Sequence, residues 1–375
     1  MLKKEYPFYI KSTVVLLGLV LTVYILMNLR DILVPLAFSV IISILLNPAI
    51  NKLKGFGVSN VLAISIALFI SVIFVGSIFY FLSSQIAGLV DNLPLLKAKL
   101  ESLLHELQVW LQARFGIAIQ KQVQLLNDAM SGSKTLIGTT LGTALGTLSV
   151  VFLLPVYTFL LLFYKSLILN FLFEVFAEEN STKVRAILDQ TKTAIQSFMV
   201  GLLLEALIIA CLNSAALFML GIKYAVLIGV IGALLNMIPY IGGIIAIALP
   251  ILMATVTKDG YSTQLGVIIV YLIIQFIDNN IIVPRIVSSK VQINALFSII
   301  IVLLGGAMWG VSGMFLSIPV VAIIKIVFDR IEELRPWGKL LGDEVPTRHK
   351  GQLLLLRRRH KKESAPNKIV EDSVK

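Results

Sequence analysis

The feature that most constrains this sequence is a succession of long apolar runs. The first three cover residues 12–29, 31–50 and 58–82. Each is close to the roughly 20 residues that a helix needs to cross the hydrocarbon of a bilayer. Only 14% of the chain is charged, against about 25% in soluble proteins, so there are too few charges to coat a soluble globule. We expect an all-α polytopic membrane protein with about eight transmembrane segments.

Basic residues predict the orientation of the spans. Lys3, Lys4 and Lys11 precede the first run, and Lys52 and Lys54 follow the second. The positive-inside rule then places the N-terminus in the cytoplasm. The first run is too long for a signal peptide core and no cleavage site follows it, so it is interpreted as a span. We expect a multi-pass membrane protein with both termini cytoplasmic.

The predicted organisation has five parts, which alternate between membrane and water. The C-terminal tail contains a basic run, Arg357 to Lys362, suited to anionic lipid headgroups. No nucleic-acid reader domain surrounds that run, so no nucleic-acid partner is expected. The parts are spans one to three (1–82), an extracytoplasmic amphipathic segment (83–135), spans four and five with a cytoplasmic interfacial helix (136–220), a broken-hairpin region (221–334) and the tail (335–375).

The extracytoplasmic segment carries one apolar helical face. Its residues follow a 4-3-4-3 spacing, which places them on one side of a helix. This face can pack on the chain's own residues 117–126, on a partner protein or on a neighbouring subunit. The residues of the face are Leu96, Leu100, Leu103, Leu107 and Trp110.

The fourth span begins with a small-residue pattern. Gly138, Gly142 and Gly146 repeat every four residues. Such a pattern lets another helix backbone approach closely in a membrane. We interpret these glycines as helix-packing residues.

Beyond residue 221 the apolar runs become short and are interrupted by Gly and Pro. Residues 224–235 and 244–256 are each too short to span comfortably, and 295–328 is broken by several glycines and a proline. Two helical hairpins fit these lengths, either re-entrant or as pairs of short spans. The interrupting residues are Asn236, Pro239, Gly242 and Gly243 in the first, and Gly305, Gly306, Gly310, Gly313 and Pro319 in the second.

Polar residues at membrane depth are candidates for a transport pathway, because charges there are costly unless they face a cavity or a partner. Glu205 lies near the middle of the fifth span, where it either carries a proton or cation or is neutralised by Asn213 or Gln196. Asp278 either lines a gate or pairs with Arg285 at the cytoplasmic edge. The densest polar patch comprises Gln275, Asp278, Asn279 and Asn280, followed by Pro284 and Arg285.

Enzyme signatures are missing from the sequence. The three His residues lie outside the predicted spans, and no His-Glu-x-x-His pair is present. Gly132 to Thr135 imitates the end of a phosphate-binding loop, but Asn127 stands where that loop needs Gly. We therefore expect neither an enzyme nor a cofactor nor a bound metal.

The C-terminal third resembles a known family. The motifs are Ile238-Pro239-Tyr240-Ile241-Gly242-Gly243, residues 275–286 (QFIDNNIIVPRI) and residues 305–319 (GGAMWGVSGMFLSIP), supported upstream by Pro35, Asn47-Pro48 and residues 154–157 (LPVY). In combination they resemble the AI-2E family of bacterial permeases, and the resemblance extends to about Leu334.

The resemblance implies a homo-oligomeric carrier without ATPase machinery that exports a small polar signal, such as autoinducer-2, or another metabolite. Sodium or lithium/proton antiport, known from some relatives, is the alternative, and a non-transporting scaffold that uses the Leu96–Trp110 face is a further one. The motif match marks as mobile or pathway-lining Pro239, Gly242, Gly243, residues 275–280, Pro284, Gly305, Gly306, Gly310, Gly313 and Pro319. Glu205 is inferred from its depth alone.

Overall fold

The computed structural model describes residues 7–91, 93–116, 118–124, 144–175, 181–238, 242–258, 260–287 and 293–343. Within these ranges the chain is helical and contains no strand, which confirms the predicted all-α class. Six of the described helices are long and apolar enough to cross a membrane, or up to seven if a bent pair counts as one span. With two shorter apolar helices added, this is consistent with about eight segments.

The first three helices are α1 (Phe8–Asn28), α2 (Arg30–Gly55) and α3 (Asn60–Asp91). α2 contains Pro35 and Pro48 within its length. Proline is tolerated inside membrane helices because neighbouring groups satisfy the backbone that it frees. The most apolar window of α1 is not buried at all within the chain, so this helix presents its side chains outward.

The amphipathic segment forms α4 (Leu93–Phe115), followed by a helical turn at residues 119–124. Gln122 donates from its Nε2 to the carbonyl of Gln108 at 3.2 Å, so the chain folds back along α4. Leu107 and Trp110 are nevertheless 51% and 55% exposed. The chain's own segment therefore covers the predicted apolar face only in part.

Next come α5 (Ala144–Phe163), α6 (Lys165–Val175) and α7 (Ser181–Met219). α5 packs on α2, where the Ser39 hydroxyl donates to the Leu154 carbonyl at 3.2 Å. The chain bends by 62° between α5 and α6. Gly146 lies in the first turn of α5, whereas Gly138 and Gly142 lie outside the described residues.

The long helix α7 joins two predicted elements into one. The predicted interfacial stretch up to residue 193 and the fifth span are continuous in the structure, because no proline interrupts residues 181–219. At about 1.5 Å per residue, this helix is roughly twice as long as the hydrocarbon is thick. Its N-terminal part therefore extends beyond the bilayer.

The first hairpin consists of α8 (Ala225–Asn236) and α9 (Gly242–Thr257). The 12 residues of α8 rise about 18 Å, roughly half of the hydrocarbon thickness. The backbone of Gly242 lies so close to the Leu235 carbonyl that a Cβ would overlap it. This close approach lets the chain reverse between the two arms, and both arms are shorter than the roughly 20 residues that cross the hydrocarbon.

The next span is α10 (Ser262–Ile277), which continues into a π-helical segment, Asp278–Val287. π-Helical turns are rare and occur frequently at functional sites, because the wider turn redirects side chains. Here the helix changes from α to π at Asp278, the acidic residue of the polar patch.

The second hairpin is α11 (Ala295–Arg330), whose two arms reverse at Trp309 and Gly310. Gly310 has a φ of 61°, a left-handed conformation that glycine adopts without strain. The arms pack tightly, since the Ser317 hydroxyl donates back to the Ile301 carbonyl at 3.1 Å. The last described helix, α12 (Arg335–Leu341), closes the base, where the Asn294 Nδ2 donates to the Leu340 carbonyl at 2.8 Å.

The two hairpins enter from opposite ends of the bundle. The first follows the C-terminal end of α7, and its Tyr224 hydroxyl donates to the Gly88 carbonyl near the end of α3. The base of the second reaches the other end of α7, where Arg330 donates to the Gln190 Oε1 at 2.9 Å. Their tips therefore point towards each other in the middle of the bundle.

The Gly305–Gly313 contact gives a test of the second hairpin. A Cβ on Gly313 would overlap the Gly305 carbonyl, whereas a Cβ on Gly76 of α3 would meet nothing within 4 Å. Gly313→Ala is expected to destabilise the protein by about 1–3 kcal/mol, because neither arm can move aside without breaking the hairpin. Thermal unfolding in detergent measures this, and Gly76→Ala is the matched control. Equal melting temperatures for the two variants would contradict the tight hairpin.

Candidate functional site

A cavity of about 620 Å³ lies where the two hairpin tips approach α7 and α10. One side is polar and the other apolar. The polar wall consists of Glu205 from α7, Asn236 and Gly243 from the first hairpin, Gln275, Asp278 and Asn279 from α10 and its extension, and Ser298 from the second hairpin. Phe198, Leu202, Met237, Val283, Phe315 and Ile318 form the apolar wall.

Asp278 is the most buried charged residue of this cavity, with 2% of its surface exposed. Its Oδ2 accepts a hydrogen bond from the Asn236 Nδ2 at 2.9 Å, and its Oδ1 has no hydrogen-bond partner in the described part of the chain. The bond joins α10 to the tip of the first hairpin. Arg285 is exposed and lines a separate groove with Gln196 and Ser197, and no ion pair between described residues joins it to Asp278. The structure therefore favours the gate interpretation of Asp278 over the edge ion pair.

Glu205 lies on α7, facing the same cavity, and is 6% exposed. Among the hydrogen bonds of the described residues, none joins it to Asn213 or Gln196. Asp278 lines the same cavity and acts on Glu205 electrostatically. The two carboxyl groups therefore face one cavity from two different helices.

This cavity has an unbalanced charge. Of the residues described, no Lys, Arg or His lines it, whereas two carboxyl groups do. An isolated carboxylate is very costly to bury, so such a group is neutralised by a proton or by a cation. The site is therefore suited to protons, cations or neutral polar molecules that offer hydrogen-bond donors, and it repels anions.

Glycine lets the first tip reach α10. A Cβ on Gly243 would lie 2.6 Å from the Gln275 Oε1 and 3.3 Å from the Asn236 Oδ1, so any side chain there would push Gln275 away. The Gln275 Nε2 donates in turn to the Asn279 Oδ1 at 3.3 Å. The polar patch of the sequence and the first hairpin are thus parts of one site.

The other predicted residues that the structure describes lie outside the cavity wall. Gly305, Gly306, Gly313 and Pro319 lie in the arms of the second hairpin and Gly310 at its turn, rather than in the cavity wall. Asn280 is exposed and donates to the Phe276 carbonyl at 2.8 Å, and Pro284 is exposed on the π-helical segment. Pro239 lies outside the described residues.

Sequence reasoning gave no site role to several residues that the structure places at or beside the site, and it named Asn213 only as a neutralising partner of Glu205. Ser298 and Phe315 come from the second hairpin, and Asn213 and Tyr271 lie just behind Asp278. The spacing contained a usable signal for the last two. Tyr271 precedes Asp278 by seven residues, and Asn213 follows Glu205 by eight, which are separations that fall on one broad helix face.

Comparison with known proteins agrees with this architecture. The family model described as AI-2E family transporter matches residues 13–333. The AI-2 transport protein TqsA of Escherichia coli is 27% identical over 341 residues, which cover 88% of this chain and 95% of that protein. The Bacillus subtilis proteins named "Putative transport protein YrrI" and "Putative transport protein YueF" are 25% and 23% identical, over 82% and 80% of this chain and 88% and 84% of their own lengths.

Proposed function

Because this multi-pass membrane protein belongs to the AI-2E family of transporters, we propose that it is a secondary carrier that exports a small polar molecule. The observation that carries the proposal is the cavity enclosed between two helical hairpins from opposite ends of the bundle. In carriers, broken helices of this kind place free backbone and polar groups around a mid-membrane site. We expect no enzymatic activity, and transport of this kind does not require a bound cofactor.

Movement of the hairpin tips gives each side of the membrane access in turn. The first tip covers the cavity through Asn236 and Gly243, and the second borders it through Phe315. Met237 and Phe315 also border an adjoining groove of about 370 Å³ between the tips. Withdrawal of one tip at a time opens the cavity to one side only. This is the requirement for alternating access without a continuous pore.

The cavity wall indicates the class of substrate. Its volume lies within the roughly 300–1,000 Å³ that is usual for small-molecule sites. Amide and hydroxyl groups on one wall bind a polar face, and Phe198, Leu202 and Phe315 pack against an apolar one. A neutral, oxygen-rich small molecule fits both walls. Autoinducer-2, which the name of the Escherichia coli relative mentions, or a related signal or metabolite belongs to this class.

Sodium or lithium/proton antiport is the second candidate function. Glu205 and Asp278 favour it, because two buried carboxyl groups without a described basic neighbour exchange charge with bound ions. A scaffold without transport activity would not explain why two carboxyl groups are buried in one cavity.

Flux in proteoliposomes distinguishes these functions. The full chain is reconstituted under an imposed pH gradient, and the movement of autoinducer-2 is followed together with a pH-sensitive dye during sodium or lithium pulses. We expect autoinducer-2 movement that collapses with the gradient. A cation-driven pH change without autoinducer-2 movement would establish antiport instead, and no movement of either would favour a scaffold.

Glu205→Gln tests the role of the second carboxyl group. The amide keeps the size of the side chain and its hydrogen-bonding capacity but cannot lose a proton in the physiological range. We expect downhill flux to continue and its dependence on the pH gradient to disappear. The exposed residue Glu101 supplies the control variant Glu101→Gln. Unchanged gradient dependence in Glu205→Gln would remove Glu205 from ion coupling.

We also propose that copies of the chain associate in the bacterial inner membrane, with both termini in the cytoplasm. The uncovered side chains of α1 and the exposed Leu107 and Trp110 of α4 support this proposal, since the described residues leave both faces largely uncovered. Analytical ultracentrifugation in detergent tests it. A single monomeric species would contradict it.

A further inference from the structure

A second, smaller cavity lies behind the first, deeper between α7, the first hairpin and α10. Its volume is about 10 Å³, which is room for about one water molecule or one small dehydrated ion. Its polar lining comes from Asn213, Asn236, Tyr271, Gln275 and Asp278. Glu205 does not line it, so the two cavities share Asp278 but differ in their total charge.

Among the described residues, three oxygen atoms at this small cavity have no hydrogen-bond partner. They are the Asp278 Oδ1, the Asn213 Oδ1 and the Tyr271 hydroxyl. Their residues are 2%, 2% and 7% exposed, so solvent does not satisfy them either. Leaving one buried polar group unpaired costs about 1–3 kcal/mol, and three together around one space are too costly to be accidental.

The position of Gly232 brings these groups to one point. A Cβ on Gly232 would lie 3.4 Å from the Asn213 Nδ2 and 3.7 Å from the Tyr271 hydroxyl, so α8 packs closely against both side chains. Tyr271 and Asp278 lie two helical turns apart on one side of α10. Two elements, α7 with Asn213 and α10 with its π-helical continuation, therefore contribute the three oxygen atoms to the same small space.

The chemistry of the lining selects the ligand. All three unpartnered atoms are oxygens, which hard cations prefer as ligands. Asp278 is the one carboxyl group among the lining residues, so a single positive charge balances the cavity. Among the described residues no group of three or more His, Cys, Asp and Glu is placed to hold a metal ion, so any cation here depends on one carboxyl, one amide and one hydroxyl oxygen. The antiparallel arms α8 and α9 have opposing dipoles at their tip, so the carboxylate sets the local charge.

We propose that the Asp278 Oδ1, the Asn213 Oδ1 and the Tyr271 hydroxyl bind one dehydrated sodium ion beside the solute cavity. Asn236 connects this ion to the first hairpin, because its Nδ2 already binds the other oxygen of Asp278. Occupation by sodium fixes the carboxylate and, through Asn236, the tip that covers the larger cavity. The coupling of this sodium ion to transport rests on the transport function proposed above. Sodium binding itself can be measured without transport.

Equilibrium binding of radioactive sodium to the purified full chain in detergent at alkaline pH tests this site. We expect saturable binding of one sodium ion per chain that lithium displaces and potassium does not. Tyr271→Phe, which removes a single oxygen, is expected to weaken sodium binding about tenfold. The matched control is Tyr261→Phe, at a tyrosine that is 88% exposed, and it should bind sodium like the unaltered chain.

Three outcomes would overturn the sodium site. These are no saturable binding, displacement by potassium as effective as by lithium, or unchanged affinity in both Tyr271→Phe and Asn213→Ala. Melting curves of each variant show whether a loss of binding reflects unfolding, and Tyr271→Phe is conservative enough to keep the fold. If sodium does not bind but proteoliposomes still move the solute, this inference fails and the proposed function stands. If sodium binds but no solute moves, the sodium site stands and the proposed transport function fails.

Discussion

Asp278→Asn is expected to abolish transport, lowering flux in proteoliposomes by about 100-fold or more. The substitution removes the negative charge and keeps the shape of the side chain. The new amide oxygen is still able to accept the hydrogen bond that Asn236 now donates to Asp278 at 2.9 Å. The tip of the first hairpin therefore remains attached to α10, and the loss of flux reports the missing charge.

The matched control for this change is Asp31→Asn, at a carboxylate that is 88% exposed and pairs only with its neighbour Arg30. Surface ion pairs contribute little to the free energy of unfolding, so Asp31→Asn should leave both flux and stability unchanged. Melting curves should show that Asp278→Asn is at least as stable as the unaltered chain, because a buried charge is removed. Flux within a factor of two of the unaltered chain would exclude Asp278 from the mechanism.

Linking the two hairpin tips is expected to stop transport completely. Met237 and Phe315 border both the large cavity and the adjoining groove, one from each hairpin. Cysteines at these positions, in a Cys211→Ser background that removes the exposed native thiol, are joined by a short flexible bifunctional thiol reagent. If alternating access needs the tips to separate, the linked fraction carries no flux. A cleavable reagent should restore flux after reduction.

A link at the hairpin base separates tip movement from general rigidity. Gln190 and Arg330 are joined by a hydrogen bond of 2.9 Å at the end of α7, where the second hairpin begins. Cysteines at these two positions, treated in the same way, should leave flux largely intact, because a hairpin pivots about its base. Each single-cysteine variant controls for modification alone. Full flux in the chain with linked tips would show that the tips do not open.

The sequence determined the class of this fold because the bilayer leaves little choice. A backbone in hydrocarbon must satisfy its own hydrogen bonds, so long apolar runs such as residues 58–82 become helices wherever they lie. The same physics identified Glu205 and Asp278, since a charge at membrane depth requires a compensating environment. The Gly and Pro interruptions likewise indicated both hairpins without any knowledge of their packing.

Only the tertiary structure decided which groups meet. Asn236 and Asp278 are 42 residues apart, and local spacing offered Arg285 as the more obvious partner for the carboxylate. The small cavity of Asn213, Tyr271 and Asp278 depends on how α7, the first hairpin and α10 pack against one another. Helix periodicity specifies the face on which a residue lies, but the neighbour opposite that face is set by the packing of the whole bundle. The charge of a site can therefore be predicted from the sequence, whereas the residues that surround that charge can be identified only from the folded structure.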